Sequence, residues 1–211
     1  MRCFGLLCCT LLLSLALPAQ TFRASILAGG SLSQVDGDDL LGFHQPGLFA
    51  GVRVWANLGP HWRVGPELNF TQFGAKRNRN SLNISEFSRI DLQAIEVPVL
   101  VAYKDWRFTA EAGVAFQRLT DYRVYDAAGT EVTSDYPLRD NLGALILGAT
   151  LYLSPKWGVG FRWSRHFTDL QQAAEPRWRG RTLSLRAVYV LGSGETLPDS
   201  GTVAPASSPN E

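Results

Sequence analysis

The sequence predicts an all-β fold, an eight-stranded antiparallel up-and-down transmembrane β-barrel, on three observations. Apolar residues recur at every second position, the period of a strand whose two faces meet different media. Short turns alternate with long polar connections along the chain. Tryptophans gather beside the short turns, at Trp55, Trp62, Trp106 and Trp157. A soluble β-sandwich would also alternate, but it has no reason to collect Trp at one end. A membrane barrel has one, because amphipathic rings suit the headgroup layer.

Composition bounds the alternatives. The chain has 211 residues, 45% hydrophobic and 18% charged, with 20 Lys and Arg against 19 Asp and Glu. That length suffices for one domain with a sizeable core or for one membrane barrel. The near-neutral balance excludes a dedicated nucleic-acid binder, which needs a strongly basic patch.

The start of the chain reads as an address. Met1-Arg2 is followed by a nearly unbroken apolar run from Phe4 to Leu17, ending at Leu17-Pro18-Ala19. A charged start, an apolar run and a small residue describe a secretory signal peptide over residues 1–19, cleaved after Ala19. A run of about 14 apolar residues falls short of the ~20 that span a bilayer. Cys3, Cys8 and Cys9 all lie within residues 1–19. The mature chain therefore forms no internal disulfide and carries no thiolate metal site.

The barrel is predicted over 20–191, with strands at 22–35, 47–58, 62–74, 88–103, 105–123, 140–153, 157–168 and 181–191. The first alternates poorly around Gly29-Gly30. In the second, Leu48, Ala50, Val52, Val54, Ala56 and Leu58 oppose Arg53 and Asn57. In the third, Trp62, Val64, Leu68 and Phe70 alternate with Arg63, Glu67, Asn69 and Thr71. The fourth carries Pro98, which lacks an N–H and implies a bulge or break in the ladder near its short-turn half. Upstream of it, Arg89, Asp91 and Gln93 share the face of Ile95, Val97 and Val99, so 88–93 should project beyond the hydrocarbon layer. The fifth sets Trp106, Phe108, Ala110, Ala112, Val114 and Phe116 against Arg107, Thr109, Glu111 and Gln117. The sixth is apolar and Gly-rich on both faces, so its inward side stays open. The seventh sets Val159, Phe161 and Trp163 against Arg162, Ser164 and His166. The eighth sets Leu183, Leu185, Ala187 and Tyr189 against Ser184 and Arg186.

The connections orient the barrel. Asn57-Leu58-Gly59-Pro60-His61, Lys104-Asp105 and Ser154-Pro155-Lys156 have turn chemistry, and 36–46, 75–87, 124–139 and 169–180 are long and polar. All short turns fall at one rim and all long loops at the other, as periplasmic turns and extracellular loops do in the bacterial outer membrane. Trp55, Trp62, Trp106 and Trp157, with Tyr103 and Tyr152, form the short-turn girdle; Phe70, Phe73, Phe116, Tyr122, Trp163 and Phe167 supply the opposite one. Residues 192–211, rich in Gly, Ser, Pro and Thr, read as a disordered periplasmic tail.

The segment from Ala94 to Tyr103, with Glu96-Val97-Pro98-Val99-Leu100 at its centre, resembles a hallmark of PorT-like outer-membrane β-barrel proteins, common in Bacteroidetes. Gly29-Gly30, Gly47 to Gly51, Glu67-Leu68-Asn69-Phe70 with Gly74, and Ala112-Gly113-Val114 are also similar. The resemblance spans about residues 22–191 and implies an eight-stranded barrel. That family is named after a secretion-associated member, and most members have no defined activity. Such barrels often end on an aromatic residue read by the assembly machinery; here the last strand is followed by a tail.

An eight-stranded barrel is just wide enough for side chains to fill it, so no open pore is expected. The inward charges are Arg53, Arg63, Arg107, Arg162 and Arg186 with Glu67, Glu96 and Glu111. Buried charges must pair, which makes this set a structural ion-pair network rather than a transport path. Ser164 and His166 share a face and raise the alternative of a barrel-embedded lipid-modifying enzyme of the lipid A deacylase kind. No acid is placed to orient His166, however, and no nucleophile elbow occurs. A soluble periplasmic ligand-binding barrel is the other alternative.

No catalytic, metal or cofactor residue is expected. His44 and His61 fall in separate connections, and Gly158-Val159-Gly160 is not a dinucleotide fingerprint but spacing that relieves crowding in the lumen. Asp36, Asp38 and Asp39 make an acidic first loop, read as solvated. Asn83-Ile84-Ser85 matches a glycosylation acceptor only formally. Two basic outer loops, Lys76, Arg77 and Arg79 and then Arg177, Arg179 and Arg181, suit lipopolysaccharide phosphates. The expected protein is a monomeric, non-catalytic outer-membrane barrel in contact with membrane lipid, structural or interacting in role.

Overall fold

The structure, a computed structural model, describes residues 22–36, 45–77, 87–170 and 178–197. Its strands are β1 (Phe22–Asp36), β2 (Gln45–Asn57), β3 (Trp62–Lys76), β4 (Phe87–Asp105), β5 (Phe108–Asp126), β6 (Asn141–Tyr152), β7 (Trp157–His166) and β8 (Arg179–Val190). Each pairs antiparallel with the next, and β1 pairs with β8 from Ser25↔Val190 to Asp36↔Arg179, closing the barrel. Closure leaves no sheet edge unpaired, which is what a sheet needs where no water can satisfy its N–H and C=O groups. The signal peptide expected over 1–19 lies outside the described residues.

Alternation sorts the side chains as the period predicts. Leu48, Val52, Leu68, Val99, Val114 and Leu185 point outward and are half or more exposed. A contiguous apolar belt of this kind is a lipid-facing surface. The inward face of β6 is settled: Leu142, Ala144, Ile146, Thr150 and Tyr152 are buried, and Leu145, Leu147 and Leu151 face out.

Four local expectations are corrected. Trp62, Trp106 and Trp157 stand on the outer surface beside the short turns, but Trp55 and Tyr152 are buried in the lumen. Trp55 has the parity of Arg53, whose guanidinium sits 4.8 Å from its ring. Phe73 likewise has the parity of Glu67 and turns inward. Tyr122 leaves the outer girdle because β5 carries an extra residue. Gln93 registers with Asp121 and Ala94 with Leu119, so Thr120 bulges and the phase of β5 flips beyond it.

The break expected at Pro98 is present, and it comes without a bulge. The β3–β4 ladder simply stops at Pro66↔Val99 and resumes at Asn69↔Glu96, whereas Pro98 keeps its register with Ala115 on the β5 side. Two prolines on adjacent strands leave fewer N–H donors there, so the ladder is interrupted without a register change. Finally, the fourth turn lies two residues later than expected. Asp105 registers with Phe108, leaving Trp106-Arg107 as the loop, with Trp106 at φ 50°.

Of the long connections, 127–140 is described. It bridges Tyr125 to Glu131, makes a short 3-10 turn at Thr133–Asp135 and buries Leu138 at the barrel end. There Phe73, Phe87, Ile90, Leu92, Leu170 and Trp178 form an apolar stopper. Asp38, Asp39, His44, Arg79, Asn83-Ile84-Ser85 and Arg177 lie outside the described residues.

Candidate functional site: two charged layers in the lumen

The first layer crosses the middle of the barrel. Arg53 of β2, Glu67 of β3, Glu96 of β4, Glu111 of β5, Arg162 of β7 and Arg186 of β8 all point inward and are buried. Arg53 donates to Glu67 at 2.6 Å and to Glu111 at 2.9 Å. Arg162 lies between the same two carboxylates. It donates to both Glu67 oxygens at 2.7 and 2.8 Å and to Glu111 Oε1 at 2.8 Å. Arg186 reaches Glu111 Oε1 at 2.6 Å. Glu96 is held more loosely, with Arg162 at 3.9 Å, Asn69 donating at 3.2 Å and Gln117 donating to its other oxygen.

Three guanidinium groups thus face three carboxylates, and the layer is neutral overall. Small residues make the room. A Cβ at Gly51 would lie 2.0 Å from Asn69 Oδ1, and one at Gly148 would lie 2.7 Å from Glu111 Oε1. At Gly160 a Cβ would crowd Thr150 Oγ1 at 3.1 Å, as the predicted relief of lumen crowding requires. Phe49 covers Arg186 with its ring centroid 5.5 Å from the guanidinium carbon, as Trp55 covers Arg53.

Two of the eight residues expected in this network are elsewhere. Arg107 is in the fourth turn, where it donates to Leu153 O at 3.2 Å and lies over Trp106. The turn displacement explains the miss. Arg63 is inward and buried, as expected, but it belongs to the second layer, at the short-turn mouth.

That second layer is centred on Glu195, a residue of the expected disordered tail. Residues 192–197 instead fold over the mouth, which corrects the tail boundary; 198–211 lie outside the described residues. Arg63 donates to the two Glu195 oxygens at 2.6 and 2.8 Å, and Lys104 donates at 2.9 Å. Arg23 lies 3.5 Å from Glu195 Oε2 and donates to Thr196 Oγ1 at 3.2 Å and to Gly194 O. Leu197 packs on the buried cluster of Tyr152, Val188 and Val190. Burial pushes the Glu195 carboxyl up, but Arg63 and Lys104 outweigh it and leave the group below its ordinary value.

The enzyme alternative gains no geometry. His166 Nδ1 lies 3.0 Å from Gly180 O and Nε2 lies 2.5 Å from Gln117 Oε1, and its ring stacks on Phe73 at 5.2 Å. Both nitrogens are engaged, and no carboxylate orients the ring among the described residues. His61 contacts Lys104 O at 2.9 Å and stacks on Tyr103. Among the described residues, no group of three His, Cys, Asp or Glu is arranged to hold a metal ion.

At the opposite end, the basic loops are partly used internally. Arg179 pairs with Asp169 at 2.8 Å. Arg118 and Arg165, in contrast, sit on the outer surface near the long loops. Arg118 registers with Ile95 and Asn141, two residues beyond Phe116; Arg165 registers with Leu145, between Trp163 and Phe167. Neither has an acidic partner among the described residues.

The profile of the family described as "Outer membrane protein beta-barrel domain" matches residues 5–190. Among solved structures, Neisserial surface protein A is similar over 80% of this chain and 96% of its own, at 10% identity and a TM-score of 0.50. Ail, the attachment invasion locus protein of Yersinia pestis, is similar over 80% and 97%, at 14% identity and a TM-score of 0.49. OprG from Pseudomonas aeruginosa covers 81% and 96%, at 11% identity and 0.42. No curated protein matches the chain.

Proposed function

Because the chain belongs to the family of outer membrane protein β-barrel domains, we propose that it is a non-catalytic barrel of the bacterial outer membrane that works through its outer surface, in contact with lipopolysaccharide. The observation that carries this reading is the pair of outward arginines, Arg118 and Arg165. Both stand at the outer edge of the lipid-facing belt, Arg118 in register with Ile95 and Asn141 and Arg165 in register with Leu145 and Arg181, without an acidic partner among the described residues. A guanidinium at that depth is expensive unless it meets an anion, and bidentate pairing suits it to a lipid phosphate. The buried central layer supports the same reading, since three guanidinium groups balanced by three carboxylates across the barrel oppose the passage of ions.

The finer likeness to PorT-like barrels is also a proposal, resting on the Glu96-Val97-Pro98 strand, and it brings no secretion role with it. The barrel acts as a monomer, in which every strand edge is already paired.

The test is titration of purified lipopolysaccharide into the detergent-solubilised full chain. Binding should weaken with added salt and fall about tenfold in R118A/R165A, the loss of roughly 1.4 kcal/mol of contact. Salt-independent binding, equal in the double variant, would overturn the reading.

A further inference from the structure

The two charged layers of the lumen are built differently. The central layer takes cations and carboxylates alike from the strands. At the mouth, the strands supply Arg23, Arg63 and Lys104, while the carboxylate arrives on the tail, five residues past the end of β8. Three cations surround one Glu195, and Arg63 offers it the parallel two-nitrogen fork by which a guanidinium recognises a free carboxylate or phosphate. The barrel therefore builds an anion site that Glu195 occupies from outside the sheet.

The path of the tail is specified by the sequence. Gly192 and Gly194 have φ of 72° and 81°, values that L side chains rarely adopt. A Cβ at Gly194 would lie 2.6 Å from Pro155 O, which also accepts the Glu195 N–H. Beside the docked tail lies an open cleft of about 540 Å³, lined by Arg23, His61, Arg63, Lys104 and Trp106 from the barrel and by Leu197 from the tail. Arg23 Nε is buried there without a partner. A ligand entering the cleft reaches the cations without disturbing a strand. What stands in its way is the tail: the Glu195 carboxylate on Arg63 and Lys104, with Gly194 O and Thr196 accepting from Arg23 and Lys104.

We propose that the short-turn mouth is an oxyanion-binding site for a phosphate or carboxylate group, with Glu195 as a tethered competitor that holds it closed. Trp62, Trp106 and Trp157 ring the same end and set the cleft at headgroup depth. The phosphate can therefore belong to a lipid of the inner leaflet or to a free periplasmic anion.

Titrating full-length protein in non-ionic detergent with inorganic phosphate, and separately with phosphatidylglycerol in the micelle, separates the two sources. Phosphorus NMR or calorimetry reads the binding, and unboiled gel mobility checks that each variant is a closed barrel. E195A should bind one of these probes at least about tenfold more tightly than wild type, since a site held nine-tenths closed loses its affinity by that factor. Adding R63A to E195A should remove the gain. A gain with inorganic phosphate identifies a free-anion site, and a gain with the lipid alone identifies a headgroup site. Equal affinity of wild type and E195A for both probes, or a gain that survives R63A, overturns the proposal. E195Q, which keeps the shape of the side chain, gives the same comparison should E195A fail to fold.

Discussion

The central layer and the mouth layer hold comparable buried side chains, yet they face opposite situations. In the centre, Arg53, Arg162 and Arg186 meet Glu67, Glu96 and Glu111, all fixed to strands whose register is set along the whole sheet. Desolvation is offset there only because every charge has a counter-charge within the same rigid cylinder. At the mouth, the counter-charge hangs on a short segment held by two glycines and a few hydrogen bonds. The difference teaches that charge balance on strands makes structure, whereas charge balance completed by a tail makes something that can be opened.

The largest effect should come from breaking the centre. Glu111 serves all three central guanidinium groups, so Glu111→Ala strands buried cations and should cost about 3–5 kcal/mol, read by urea unfolding in detergent. Glu96→Ala should cost less, about 1–3 kcal/mol, because its near partners are the neutral amides of Asn69 and Gln117. Unchanged stability in both variants would remove the network from the structural account.

A smaller effect is expected at the mouth. Glu195→Gln should lower stability by about 1–2 kcal/mol while the barrel still closes. The carboxyl is held below its ordinary value in the folded protein, so its contribution is present above the unfolded pKa of about 4.3 and lost as the pH falls through the folded one. The stability gap between wild type and Glu195→Gln should be flat above about pH 5 and should shrink on further acidification. A gap that widens in acid would contradict the pairing.

The smallest effect sharpens the border of the network. Arg107→Ala changes an exposed turn contact and should shift stability by no more than about 0.5 kcal/mol. A loss approaching that of Glu111→Ala would return Arg107 to the lumen.

Much of this was legible in the sequence. Period-two alternation placed Arg53, Glu67, Glu96, Glu111, Arg162 and Arg186 inward, because a strand gives parity at no distance from the chain itself. Parity also put Trp55 and Phe73 inward, and only their aromatic character suggested a girdle. The rest failed where parity breaks or ends. The Thr120 bulge flipped Tyr122, and the shift of a turn by two residues moved Arg107 out and made Lys104 a lumen residue. Glu195 left no periodic signal at all. One clue was available: five inward arginines against three inward glutamates is not a balance a closed lumen can hold, so at least one acid had to come from elsewhere.

The sequence by itself determined the strands, the faces of those that alternate, the two rims and the charged character of the interior, since each follows from local period and turn chemistry. Only the tertiary structure decided which charge meets which. Partners in a closed barrel are set by register across strands far apart in the chain, such as Arg162 with Glu67, and by where a tail folds back, such as Glu195 with Arg63. Those distances are properties of the closed cylinder, and no window of sequence contains them.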